Sequence, residues 1–208
     1  MILLALILAC SNPAENKTSA EIVQPTAPAE AAPAAPAAPA APAGPEQALT
    51  GTVGFTGAKV TKSHDGVFHT WTGAATVSEG KLQSVRFEVD VASLATDSDR
   101  LDKHLRSEDF FNVEQIPKAS FKSTAITDGA PGDSKLEGAN ATVEGELTLH
   151  GVTQTVRFPA VIQVNGESVA ARTEFVINRK DFGVEYPGKP DDLIRDEVVL
   201  KVDVKTGA

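Results

Sequence analysis

The chain has 208 residues, of which 28 are acidic and 19 basic, and its formal net charge is −9 at pH 7. This excess of acidic residues repels the phosphate backbone of nucleic acids, and no basic stripe in the sequence offsets it. Nucleic acid is therefore not expected as a partner. The single cysteine excludes a domain stabilised by internal disulfides, even in an oxidising compartment.

An apolar run, MILLALILA, opens the sequence and is followed by Cys10. The run is too short for a transmembrane helix, which takes about 20 residues, but it matches the apolar region of a signal peptide. Because ILAC resembles a bacterial lipobox, we expect residues 1–9 to be a signal peptide and Cys10 to carry a lipid anchor. A secretory signal with an incidental cysteine is the alternative. The predicted location is the periplasm, on a lipid anchor, and Ser11 after the cysteine favours the outer membrane.

Residues 10–45 contain eight of the thirteen prolines, many of them in Ala-Ala-Pro repeats, and few large apolar side chains. Such a composition does not build a core. It predicts a Pro/Ala-rich tether, which at about 3.1 Å per residue would reach up to roughly 100 Å from its anchor.

Residues 46–208 form the predicted domain, and their pattern is typical of antiparallel strands. Val85, Phe87, Val89 and Val91 alternate with polar residues, and the same alternation returns at 141–151, 171–178 and 197–205. We count about eight strands, beginning with a short one near Thr52 and with Ser63 and His64 in a turn. Eight strands with one apolar face close either as a sandwich or as a barrel. The scarcity of large aromatic residues favours a hollow barrel.

One helix interrupts the strands. Ser98 is a plausible N-cap, and Leu101 and Leu105 lie four residues apart on one face. Phe110 and Phe111 follow the helix, where they either stabilise the core or line the mouth of a cavity. The sequence therefore predicts a short helix near the barrel opening.

Catalytic or metal-binding patterns are sparse. The histidines have no metal-ligand spacing and are His64, His69, His104 and His150. An acidic loop follows Pro190, with Asp191, Asp192 and Asp196, but it lacks the oxygen spacing of a calcium loop. Arg179 and Asp181 end a strand, where they either close the barrel by hydrogen bonds or place a guanidinium at a ligand head group.

Three motifs resemble the YceI-like family of exported lipid-binding barrels: LDKHLRSEDFFNVEQIPKASFKST, GELTLHGVTQTVRFPAVI and FVINRKDFGVEY. The resemblance implies an all-β fold, an eight-stranded antiparallel lipocalin-like barrel with a short helix beside its opening. It also implies a polyisoprenoid, an isoprenoid quinone or a fatty-acyl derivative inside the barrel, and it allows a homodimer.

These observations predict a lipid-binding protein without catalytic activity, metal or cofactor. The expected ligand-binding residues are Phe87, Phe110, Phe121, Phe158, Phe175 and Arg179. One alternative is an enzyme acting on a bound lipid or quinone, with Arg179 and Asp181 pointing inward. Another is a filled barrel that serves as a protein-interaction module and exposes an apolar patch.

Overall fold

The structure is a computed structural model that describes residues 12–24, 44–190 and 192–207. The predicted signal peptide and Cys10 lie outside the described residues. The described strands are β1 (Glu21–Ile22), β2 (Glu46–Ala58), β3 (Ser63–Phe68), β4 (Trp71–Ser78), β5 (Lys81–Asp90), β6 (Leu94–Thr96), β7 (Lys118–Asp128), β8 (Ala141–Leu149), β9 (Val152–Asn165), β10 (Ser168–Asn178), β11 (Gly188–Lys189), β12 (Asp192–Leu193) and β13 (Glu197–Thr206). The helices are α1 (Asp99–Arg106) and two 3-10 turns, η1 (Val91–Ser93) and η2 (Arg179–Phe182).

Eight strands close into an antiparallel barrel. Their order is β2, β4, β5, β7, β8, β9, β10 and β13, and β13 pairs back with β2 along most of its length. Closure pairs each strand of the ring with a neighbour on both sides, although β9 and β10 pair over only part of their length. The predicted fold class is confirmed, and the hollow barrel is the correct choice over the sandwich.

The first barrel strand differs from its prediction. β2 is 13 residues long, and Ser63 and His64 belong to β3, where His64 pairs with Gly57. The tight turn precedes them, since the Lys59 amide donates to the Lys62 carbonyl. The many glycine and threonine residues of β2 hide its alternation, and only pairing with β13, β3 and β4 shows its length.

Helix α1 begins and ends close to the predicted positions. The Ser98 hydroxyl accepts from the Leu101 amide, as an N-cap does. Asp102 is buried on the helix, and its carboxylate accepts from the amide and the hydroxyl of Thr96, at 2.8 and 2.6 Å. Leu105 packs into the core beneath. These contacts fix α1 at the barrel end, and the predicted helix near the opening is confirmed.

The segment 12–24 is not the extended tether that its composition predicts. β9 and β10 pair only near their shared hairpin, from Arg172 with Val161 to Ser168 with Asn165. Beyond that point the strands separate, and residues 18–23, here called the strap, lie between them. The prediction of one tether over residues 10–45 is therefore wrong for the part that includes the strap, and residues 25–43 lie outside the described residues.

Backbone hydrogen bonds hold the strap on both sides. The Val176 amide of β10 donates to the Thr18 carbonyl at 2.8 Å, and the Ala20 amide donates to the Val176 carbonyl at 2.7 Å. On the other side the Val23 amide donates to Thr155 of β9, at 2.8 Å. A buried strand edge without partners is costly. The separated edges explain why a segment with few large apolar residues is ordered here.

Among the described residues, no helix has the length and apolar character needed to cross a bilayer.

Candidate functional site

The barrel encloses a cavity of about 870 Å³. Its wall is built from inward residues of all the barrel strands except β4; on β13 these are Val198, Leu200, Val202 and Val204. Those four positions span roughly 20 Å along the strand, at about 3.3 Å per residue. The volume is within the range of small-molecule sites, about 300 to 1,000 Å³. The cavity is therefore long and mostly apolar.

Aromatic rings form much of the wall. The predicted residues Phe87, Phe110, Phe121, Phe158 and Phe175 all line the cavity. Phe158 and Phe175 stack, with ring centroids 4.0 Å apart, and Phe121 lies 5.5 Å from Phe158. Their place on the wall is a finding, and their contact with a ligand stays a prediction.

Helix α1 stands at one end of the cavity. β2, β5, β8 and β10 all end there, and β7, β9 and β13 begin there. His104 of α1 packs edge-on against Phe110 and Tyr186, with centroids 5.0 and 4.9 Å away. Most polar residues of the lining lie at this end, whereas the opposite end is lined by apolar side chains such as Leu82 and Ile162, with Arg172 as its charged residue. The α1 end is the mouth.

Arg179 lies on the cavity wall with only 6% of its surface exposed. Its guanidinium donates to the Val184 carbonyl at 2.6 Å, the Arg195 carbonyl at 3.1 Å and the Asp196 carboxylate at 3.1 Å. These bonds tie η2 to the segment before β13. Asp181 is exposed and does not line the cavity. Of the two readings of this motif, the geometry favours closure of the barrel.

The histidines and carboxylates near the mouth form pairs rather than a metal site. Among the described residues, no group of three or more His, Cys, Asp or Glu side chains could hold a metal ion. His64 contacts Asp97, and His104 contacts Asp109 at 3.0 Å. In the acidic loop, Lys59 hydrogen-bonds Asp192 and lowers the pKa of that carboxyl below its usual value.

Residues 47–206 match the model of the YceI-like domain. The chain belongs to the YceI-like family. Two relatives of this YceI-like chain are UPF0312 proteins of Pseudomonas. That of Pseudomonas fluorescens strain SBW25 is 31% identical over 144 residues, which are 65% of this chain and 71% of the relative. That of Pseudomonas putida strain W619 is 34% identical over 131 residues, 59% of this chain and 65% of the relative.

Two solved structures share the YceI-like fold. BcnA of Burkholderia cenocepacia superposes with a TM-score of 0.60 at 24% identity, covering 74% of this chain and 96% of BcnA. A polyisoprenoid-binding domain of Saccharophagus degradans, implicated in plant cell wall breakdown, superposes with a TM-score of 0.57 at 14% identity. That match covers 78% of this chain and 98% of the domain. At these low sequence identities the comparison shows a shared fold and no more.

Sequence reasoning missed several wall residues of this YceI-like barrel. Phe55, Phe68 and Tyr186 also line the cavity, and Phe55 lies 5.5 Å from Phe68. Phe111 lines it too, which is one of the two positions that the sequence left open for this residue. Phe55 and Phe68 are single aromatics in glycine-rich or polar strands, where alternation is weak. Once β2 and β3 are placed in register, both positions face inward.

Glycines make room for the aromatic rings of the wall. Gly66 is paired across the sheet with Phe55, and a Cβ added to Gly66 would lie 2.3 Å from the Phe55 ring. Gly73 is likewise paired with Phe87, and a Cβ added there would lie 2.8 Å from the ring. Gly145 is paired with Ser123, and its added Cβ would lie 2.5 Å from the ring of Phe121, on the same strand as Ser123. Each ring therefore occupies space that a side chain at the glycine would fill.

We expect Gly66→Ala to destabilise the domain by about 1 to 3 kcal/mol, because the Phe55 ring must leave its place over the glycine. Urea denaturation of the two proteins measures the difference. Gly57→Ala is the matched control, since an added Cβ there meets nothing within 4 Å. Equal loss in both variants would show that glycine flexibility, and not ring packing, sets the cost.

Proposed function

We propose that this YceI-like barrel binds one long apolar chain in its cavity and carries or stores it in the bacterial cell envelope. The ligand is a polyisoprenoid, an isoprenoid quinone or a fatty-acyl derivative. The observation that carries the proposal is the cavity of about 870 Å³, walled by apolar side chains and open beside α1.

Burial alone supplies the binding energy. Each methylene that leaves water for an apolar wall contributes about 0.8 kcal/mol. A group of this size takes about 30 Å³, so the cavity has room for roughly thirty of them. No catalytic group is required, and binding without catalysis is part of the proposal. The Saccharophagus degradans domain is a polyisoprenoid-binding domain, and its shared fold supports the choice of ligand class.

The proposed location is the periplasm. It rests on the sequence, where the apolar residues 1–9 and the ILAC motif favour a signal peptide and a lipid on Cys10. Anchoring to the outer membrane and a homodimer are further parts of the same proposal.

Native mass spectrometry, followed by organic extraction, tests the function. The sample is the full chain with Cys10→Ser, exported to the periplasm of a bacterial host and purified without detergent. We expect one apolar adduct per barrel, of a single chain class. The same spectrum gives the oligomeric state. Bare protein that also fails to take up added isoprenoids or fatty acids would overturn the carrier proposal.

The protein-interaction alternative has less support from the described surface. On the described surface, the large apolar side chains that are exposed are Val60 and Leu193, each about half exposed. The two residues are neighbours, because the Val60 amide donates to the Leu193 carbonyl. Two side chains at the mouth are far smaller than the contiguous patch that a protein-binding surface uses.

A further inference from the structure

We infer that the ligand enters tail first and presents an anionic head group, a carboxylate or a phosphate, to a basic rim at the mouth. The inference rests on the proposed function and specifies the chemistry of its ligand. The rim is defined by five of the seven lysine and arginine residues that line the cavity, Lys59, Arg100, Lys103, Lys189 and Arg195. The other two are not part of it: Arg172 lies near the β9–β10 hairpin at the opposite end, and Arg179 is buried.

Four segments bring the rim together. Lys59 follows β2 and forms a bridge with Ile194, next to Arg195, whose amide donates to Ala58. Lys189 ends β11, which pairs with β12 beside Lys59. Helix α1 contributes the remaining two cations, and it contacts this region through His104 and Tyr186. Residues distant in sequence therefore converge on one opening.

The charge of the rim is one-sided. Among the described residues, only one acidic residue lines the cavity: Asp192, which is paired with Lys59. The nearby carboxylates Asp97 and Asp109 are paired with other side chains. Arg100, Lys103, Lys189 and Arg195 have no ion pair with any described residue, in a chain whose net charge is −9. These positive charges at the mouth are opposite in sign to the net charge of the protein.

The rim also stands where a head group would lie. An apolar chain in the cavity places its polar end at the mouth, because a buried unpaired charge is costly. A cleft with one sign of charge and low-dielectric walls focuses the electric field and raises the local concentration of opposite charges. Guanidinium and ammonium groups also donate charge-assisted hydrogen bonds to carboxylate and phosphate oxygens. The arrangement favours an anionic amphiphile and disfavours a cationic one.

Two sets of ligands test the inference; within each set the tail is the same and the head group differs. Hexadecanoate, hexadecanol and hexadecylamine, together with geranylgeranyl phosphate and geranylgeraniol, are titrated into the full chain with Cys10→Ser after delipidation. We expect each anion to bind at least about tenfold more tightly than its alcohol at low salt, and the advantage to shrink at high salt because the rim is exposed. The ratio of anion to alcohol affinity within each tail family gives the gain from a carboxylate and from a phosphate separately, because the tail cancels.

Arg100→Gln with Lys103→Gln removes half of the unpaired rim charge. One exposed ion pair is worth up to about 1 kcal/mol, or roughly fivefold, so the double variant should lose about tenfold for anions and nothing for alcohols. Lys205→Gln is the control, because Lys205 is exposed at the opposite end of β13. Thermal unfolding verifies that α1 remains folded.

Three other outcomes would contradict the inference or the proposed function. Equal affinity for anions and alcohols would overturn the anionic head while leaving the carrier function intact. Failure of every ligand to bind would overturn the carrier function itself. If the double variant loses binding to vesicles of anionic phospholipid but keeps its preference for hexadecanoate, the rim docks on a membrane surface and the inference is wrong.

Discussion

Gly57→Trp is expected to lower the affinity for a long apolar chain by about a hundredfold while leaving the barrel folded. Gly57 lines the cavity, and a Cβ added there meets nothing within 4 Å. An indole at this position therefore extends into open space beside the mouth. If it displaces about four methylenes of the ligand, the loss is about 3 kcal/mol, which corresponds to the expected hundredfold.

Titration of the delipidated chain with a fluorescent fatty acid measures this change, and urea denaturation checks the fold. Gly57→Ala is the control, since a single methyl group leaves most of the cavity open and should change the affinity less than about threefold. Unchanged affinity in Gly57→Trp would mean that the chain does not pass this part of the wall, and the cavity would lose its assigned role.

The second large effect concerns the strap. Ala20→Pro removes the amide that donates to Val176 and should lower the free energy of unfolding by about 2 kcal/mol. For a protein of this size we expect the melting temperature to fall by about 4 to 8 °C. The same variant leaves the separated edges of β9 and β10 less well covered, so release of a bound chain should become faster.

Differential scanning calorimetry and a stopped-flow release assay measure the two effects. Ser19→Pro is the control, because Ser19 is exposed and its amide makes no hydrogen bond to the described residues. If both variants behave like the parent, the strap is a passive cover and not part of the barrel wall. If both lose stability equally, the proline ring and not the lost hydrogen bond is responsible.

The strap also changes the expected reach of the barrel. With a lipid on Cys10, the anchor would stand only a few residues before Ala14, which is buried against Val176 and Val199. The barrel would then be held beside the membrane surface, and the Pro/Ala-rich residues after the strap would not set its distance from the anchor.

Local patterns were sufficient for most of the fold. Alternation in β5, β8, β10 and β13 predicted which side chains face inward, because successive strand residues point to opposite faces. Ser98 and the leucine spacing predicted α1, because capping and helical periodicity act within a few residues. The inward position of Phe87 and Phe175 followed from the same alternation, whereas Phe110 follows α1 and is part of no strand pattern.

The sequence by itself determined the class of fold, the inward faces of the regular strands and the helix, since each depends on neighbours within a turn or a strand. Tertiary structure alone decided the length of β2, the place of the strap, the pairing of Phe55 with Gly66 and the basic rim. In each of these the partners are distant in sequence, as Lys59 and Asp192 are, or Thr18 and Val176. Only barrel closure, which fixes the register of every strand against its neighbours, brings them into contact.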